Sequence, residues 1–392
     1  MSAVRADPVA EVRAAELSRW ERATGLAIGS DPSQGDQLLP RSQEHPRAAL
    51  AAELEGALAC SPCVVSFSGG RDSSAVLAAA VEVARREGLP DPVPVTLRFP
   101  GVASTDESGW QELVIRHLRV SEWERIVIRD ELDLLGPVAQ AALTAHGLLW
   151  PPNAHVHVPI LERARGGCVL TGFDGDGLFG YWRWARAQSV LHRRVRPEPR
   201  DALRVALALA PARVRHRWMR PDAVTMTPWL RAEARAELAK HARADAAREP
   251  RPWDRRIAYY RQRRYLRLTV RSLELLAASR RVEVRHPLLA PPFLRALASD
   301  GGRAGYGDRT AAMRALFAGA LPLDLLTRPR KAEFSRALWR SEARAFAESW
   351  DGTGVDEELV DPERVRVAWS VPTPWFGANT LLHVAWLAAQ SR

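Results

Sequence analysis

Lysine is almost missing from this 392-residue chain: of its 56 basic residues only Lys240 and Lys331 are lysines. Arginine serves wherever a plain positive charge suffices, so a surviving lysine marks a place where a compact ammonium is needed. Cysteine is scarce as well. Cys60, Cys63 and Cys168 are too few for a disulfide framework or a four-cysteine zinc site. The Cys60-Ser-Pro-Cys63 spacing runs straight into a strand, so all three are expected to be reduced packing residues. No apolar run approaches the roughly 18 residues of a membrane span. The opening stretch MSAVRADPVAEVRAAELSRWER has no apolar h-region, so no signal peptide is expected and the expected location is the cytoplasm. Internal repeats and low-complexity tracts are lacking too.

What remains is an ordinary globular composition, 46% hydrophobic and 26% charged, long enough for two or three domains. The net charge of +10 is concentrated. Between residues 183 and 271, basic residues outnumber acidic ones 24 to eight, and the rest of the chain is net acidic.

Residues 64–77 read VVSFSGGRDSSAVL, a buried-strand run, a glycine turn and the first turn of a helix. Two glycines let the backbone come close to a phosphate, while loop amides and the helix N-terminus point at the anion. Ser68, Gly69, Gly70, Ser73 and Ser74 thus form a candidate pyrophosphate grip, and Asp72 is placed to hold Mg²⁺ against it. The loop has no lysine and is not a Walker motif.

Strands and helices alternate around it. Strands are expected at 64–67, 94–99, 124–128 and 168–171, with helices at 74–87, 105–118 and 131–146, a pattern that indicates a parallel sheet covered on both faces. After Tyr181 the strands are expected to stop. Helical patterns follow at 201–210, 229–247, 255–280, 291–299, 309–319 and 333–349, with a last helix at 380–389. This divides the chain into a helical extension (1–60, two helical pieces around a loose stretch at 29–35), an α/β core (61–182) and a basic, largely helical part (183–392). His155-Val156-His157 falls on an expected extended segment and lacks a third metal ligand, so a packing or pocket-lining role is expected.

A second glycine-rich turn, TGFDGDGLFGY from Thr171 to Tyr181, follows the fourth strand. It puts Asp176 at the same sheet edge as Asp72, where the two carboxylates can share a metal. Downstream, Arg328-Pro-Arg-Lys331 sets one of the two lysines in a dense cationic turn.

Four motifs in this order resemble the synthetase domain of the asparagine synthetase family, including the β-lactam synthetase-like and lasso-peptide macrolactam synthetase-like enzymes. They are Ser68–Ser74 (SGGxDSS), Gly172–Tyr181 (GxGxDExxGGY), Glu283–Leu289 (ExRxPxLD) and Leu321–Phe334 (LP…RxKxxF). The resemblance implies the N-type ATP pyrophosphatase fold, adenine nucleotide alpha hydrolase-like, with a helical C-terminal part. It also implies ATP and Mg²⁺ as cofactors, and an AMP- and PPi-forming ligase that adenylates a carboxylate and passes it to an amine. By the same resemblance Asp72 and Asp176 match the metal ligands and Lys331 the lysine that stabilises transition-state charge. Phe67, Leu97, Thr171 and Gly172 match positions at the nucleotide.

Three departures stand out. Ser2 follows Met1 and about 60 residues precede the α/β core, so no glutaminase domain is expected. Phe173 stands where amide-forming members carry Glu, which leaves Asp174 or Glu283 as candidate bases. Gly177 and Ala290 replace usual acids. The expected partners are a small-molecule or peptide carboxylate and an amine, with a separate ammonia-supplying or substrate-carrier protein as a further option. Trp253, Tyr259, Tyr260 and Tyr265, interleaved with arginines, open an alternative in which the basic segment binds RNA and the enzyme modifies tRNA. A catalytically silent relative is the third option.

Overall fold

The computed structural model describes residues 16–31, 39–218, 222–328 and 331–392. Five short runs form one parallel sheet: β1 Cys63–Ser66, β2 Val93–Arg98, β3 Glu124–Val127, β4 Cys168–Thr171 and β5 Glu283–Arg285. Their order is β3-β2-β1-β4-β5. From β1 the chain steps outward through β2 to β3, then returns to the far side of β1 as β4. At such a reversal the loops leaving the strands' carboxyl ends diverge and open a crevice. Helices cover both faces, so β4 is buried along its whole length.

β5 corrects the expectation that strands end at Tyr181. Its three residues, Glu-Val-Arg, carry no strand signal of their own. The segment becomes a strand because β4 offers a free edge, with Val284 in register beside Val169. The helix expected at 255–280 is two, Trp253–Arg261 and Arg264–Ala278. The break turns Arg263 into extended backbone, from where it pairs with Asp245 at 2.7 Å while Arg264 pairs with Glu21 at 2.9 Å. The helix expected from Glu131 starts at Pro137, because Leu132, Leu134 and Leu135 are buried in the core instead. His155 and His157 lie on a 3₁₀ turn, Ala154–His157, rather than on an extended segment. Of the loose stretch at 29–35 only residues 29–31 are described, and residues 1–15 of the first helical piece also lie outside the described residues.

The core ignores the three-way division of the sequence. Leu50 and Leu54 of the helix Pro46–Leu58, Val76 and Leu77 behind the phosphate loop, and Phe293, Met313 and Leu325 of the C-terminal part share one buried cluster. Among the described residues no helix is long and apolar enough to cross a membrane, and Cys60, Cys63 and Cys168 are free thiols.

A second cluster closes over a polar knot. Asp133 accepts backbone amides from Leu135, Glu342 and Ala343 at 3.0 to 3.1 Å. His155 and His383, both buried, bond the carbonyls of Leu132 and Leu134 at 3.1 and 2.7 Å. Burial pulls the His383 imidazole down to about 3 and that of His155 to about 4. A depressed folded pKa means that the unfolded chain binds the proton first, so this stability is complete above pH ~6.5 and is lost as pH falls toward 4. The loss between pH 7 and 5 is therefore expected to be smaller by about 2 kcal/mol in His383→Gln than in the native chain. Urea denaturation at the two pH values checks this, and equal losses would contradict it.

Candidate active site

The phosphate loop begins where β1 runs out. Phe67 extends the sheet by one residue, donating its N–H to Val95 (2.9 Å) and accepting the Thr96 hydroxyl (2.7 Å). At Gly69 the backbone crosses to φ +81°, where a β-carbon would come within 2.6 Å of Gln111 Cγ. The loop is closed by its own hydroxyls. Ser73 Oγ accepts from Ser68 N (3.3 Å) and donates to Gly70 O (3.2 Å), and Gly70 N donates to Ser68 Oγ (3.3 Å). Gly70 then caps the helix Arg71–Arg86 without any side-chain bond. The first-turn amides are thus left uncapped at the crevice, as an anion site requires.

Residues distant in sequence brace this loop. Gln111 donates to Ser68 O at 2.9 Å and Arg328 to Gly69 O at 3.1 Å. Arg328 is also forked onto Glu107 and stacks on Trp110 at 5.1 Å, with both charged residues buried. Arg71 turns away from the loop to Thr310 Oγ1 (3.2 Å) and Leu326 O (3.3 Å).

The turn after β4 interlocks with the loop, backbone against backbone. A β-carbon on Gly172 would sit 2.5 Å from Ser73 N, and one on Gly175 2.5 Å from Asp72 Cγ. The backbone of Asp72 and Ser73 beside Gly172 cannot move without dismantling the helix start, so Gly172→Ala is expected to cost about 1–3 kcal/mol and to weaken ATP binding more than tenfold. Gly109, with nothing within 4 Å of its β-carbon, is the control: Gly109→Ala is expected to be neutral or slightly stabilising. Calorimetric ATP titration and denaturation of both variants check this, and a Gly172→Ala chain as tight and as stable as the native would refute the interlock.

Each carboxylate here meets a cation. Arg309 donates to Asp72 Oδ2 at 2.5 Å, and Lys331 Nζ to Asp176 Oδ2 at 2.9 Å. Burial pushes the Asp72 carboxyl up, Arg309 opposes this, and the neighbouring Asp176 adds to the rise. Burial also acts on Asp176, but Lys331 and then Arg309 outweigh it and hold that carboxyl below its ordinary value. Asp72 Oδ1 is buried and has no hydrogen-bond partner among the described residues.

Asp174 forms a third centre. It takes the left-handed conformation, φ +55°, at the start of the helix Gly175–Gly180. Its Oδ2 accepts both the Tyr260 hydroxyl and, at 2.7 Å, the Tyr265 hydroxyl. Burial raises its carboxyl to about 6 against the pull of the two phenols. A β-carbon on Gly177 would fall 2.3 Å from this carboxylate, so the acid at 174 fills the space that a side chain at 177 would take. Arg256, buried, locks the same turn by donating to Gly177 O at 2.6 Å and Leu178 O at 2.5 Å.

The crevice therefore gathers Ser68, Gly69, Gly70, Asp72, Ser73, Ser74, Gly172, Asp174, Asp176 and Lys331. The Thr171 hydroxyl is turned to His286 Nδ1 at 2.6 Å, and the Phe173 ring stands edge-on to the same imidazole, 5.5 Å between centroids. Leu97 lies in β2 opposite Ile126. Glu283 does not join the crevice. In register with Cys168, the first residue of β4, it sits at the opposite, amino end of the sheet and pairs there with Arg285 at 2.7 Å. That removes it as a candidate base.

The tyrosines also lose their part in an RNA surface. Trp253 and Tyr260 are buried, and Tyr259, Tyr260 and Tyr265 spend their hydroxyls on Asp245 and Asp174. The basic segment is partly neutralised from within and from elsewhere, by Arg186–Asp201, Arg263–Asp245 and Arg267–Asp31. Arg309, Glu107 and Gln111 carry no sequence signal, and the cationic turn that holds Arg328 gives no sign that this residue braces the loop. In a chain this rich in arginine, a functional guanidinium looks like any other.

The family model for asparagine synthase matches residues 48–387. No curated protein matches the chain.

Proposed function

The chain belongs to the asparagine synthase family, a family of ATP-dependent amidation, and from that premise we propose that it is an AMP- and PPi-forming amide ligase. In this reading the substrate carboxylate attacks the α-phosphorus of ATP, PPi departs, and an amine then attacks the acyl carbon and displaces AMP. The supporting observation is the interlock of the uncapped loop Ser68–Ser74 with the turn that carries Asp174 and Asp176, at the reversal point of the sheet. Loop amides and hydroxyls would hold the β,γ-phosphates.

Asp72 and Asp176 fit Mg²⁺, since both are hard carboxylates and one oxygen of Asp72 is orphaned. Among the described residues no group of three or more potential ligands surrounds a metal position, which suits an ion held by one or two carboxylates and substrate phosphates. Such an ion would offset charge on the departing PPi. Lys331 would stabilise charge developing on the transferring groups. Asp174, with its carboxyl near 6, is suited to take the proton of the attacking amine near neutral pH, the role left open by Phe173. Its hydrogen bonds to Tyr260 and Tyr265 would hold it in position and share the charge.

Exchange of labelled PPi into ATP tests the first half-reaction. A panel of amino acids, acidic peptides and small dicarboxylates should contain a carboxylate that switches exchange on in the native chain and leaves it off in Asp72→Asn. Exchange that is insensitive to Asp72→Asn would overturn the reading.

A further inference from the structure

A second, cationic cavity opens at the loop after β2. Ser104 is clamped to the segment carrying Lys331, accepting Glu333 N and donating its hydroxyl to Glu333 O, both at 2.9 Å. Beyond this clamp lies a cavity of about 490 Å³, walled by the small residues Gly101, Ala103 and Ser104 and by Arg336, Arg340 and Arg344. Arg336 lies on the short helix Ser335–Leu338, Arg340 is the extended N-cap residue of Ser341–Ser349 and Arg344 lies on that helix; all three line the cavity, while Ala337, Leu338, Trp339 and Ala343 are buried. Arg340 is balanced by Asp130 at 2.7 Å. Arg336 and Arg344 make no ion pair among the described residues, which leaves two uncompensated guanidinium groups facing a cavity walled by small residues.

On either side the cavity continues. Toward the sheet, Gly101, Val102 and Ala103 also wall a 420 Å³ recess with Arg98 and Asp106 at the carboxyl end of β2. Outward, Arg344 and Pro372 also line a 510 Å³ recess containing Trp339, Trp369 and Val371. An occupant of the central cavity therefore meets two arginines that make no ion pair among the described residues, with the indole and valine side chains of the outer recess beyond them. Guanidinium groups recognise carboxylate and phosphate by paired N–H donors, and they do so most strongly where their charge is not already neutralised.

We propose that Arg336, Arg340 and Arg344 bind a second anionic group, carboxylate or phosphate, on the substrate whose reacting carboxylate lies in the crevice. This rests on the ligase reading above, and it narrows the substrate to a molecule with at least two anionic groups separated by a spacer. Asp130 keeps Arg340 aligned, and Arg336 and Arg344 supply the net charge.

The test uses two probes, inorganic phosphate and tricarballylate, titrated calorimetrically into the full chain with its nucleotide site filled by a non-hydrolysable ATP analogue. Saturable binding of either probe is expected, at least tenfold weaker in Arg336→Gln/Arg344→Gln and unchanged in Arg213→Gln/Arg217→Gln, which removes two exposed arginines elsewhere. Preference for one probe identifies the anion as phosphate or carboxylate. Analogue binding by the double variant shows that it is folded. Equal probe affinity in all three proteins, or no saturable binding in the native chain, would overturn the proposal. Because this readout needs no turnover, a ligase reading that failed in PPi exchange would leave its result distinct.

Discussion

Lys331→Arg is expected to keep ATP binding and to lose roughly two or more orders of magnitude in amide formation. Lys331 Nζ sits on Asp176 at 2.9 Å, yet its side chain remains 68% exposed, so the ammonium faces the open crevice. An ammonium offers three donors from a single point and can follow charge as it shifts between phosphate and acyl oxygens. A planar guanidinium fixes its donors in a fork and would be held by the Asp176 carboxylate in one orientation. Loss of one such electrostatic contact typically costs 10²–10³ in rate. Lys240, with its side chain 71% exposed, pairs with Glu237 at 3.7 Å, so Lys240→Arg is expected to be silent. Steady-state rates with an activating carboxylate and its amine check this, and equal activity of the two variants would make Lys331 a surface residue.

The largest stability effect is expected at Arg328. Arg328→Met strands the buried Glu107 carboxylate without its forked partner, and removing one member of a buried pair costs about 3–5 kcal/mol. It also takes a donor from Gly69 O, in the middle of the phosphate loop. The two consequences are separable. Arg328→Met/Glu107→Met removes the stranded charge and is expected to recover most of the stability, but it cannot restore the bond to Gly69. ATP affinity should stay low in both variants while the denaturation midpoint recovers in the double one. If affinity recovered together with stability, Arg328 would have only a structural role.

The phosphate loop and its sheet position could be read from the sequence because they are local. A short apolar strand run, two glycines and the first turn of a helix lie within 14 residues, and each constrains its neighbours. The turn after β4 was legible for the same reason, and Gly172 and Gly175 prove to be glycine because the loop backbone and Asp72 leave no room for a side chain. β5 was not legible, since Glu283-Val284-Arg285 takes its conformation from β4 rather than from its own residues. The same holds for Glu283, whose chemistry suited a base but whose register places it at the wrong end of the sheet. Tyr260 and Tyr265 looked like a stacking surface because spacing alone cannot tell an inward ring from an outward one. Only the approach of Asp174 shows where their hydroxyls go. That Asp174 fills the volume a side chain at 177 would need is likewise a matter of packing, invisible until the two positions are seen to compete for one space.

The bond cleaved in ATP tests the central claim most directly. In the proposed reading, where loop amides hold the β,γ-phosphates and the carboxylate attacks the α-phosphorus, cleavage is expected between α and β. Phosphorus NMR of a turnover mixture containing Mg²⁺ and an exchange-activating carboxylate with its amine is expected to show AMP and PPi accumulating in equal amounts. ADP and inorganic phosphate as the stoichiometric products would contradict the assignment.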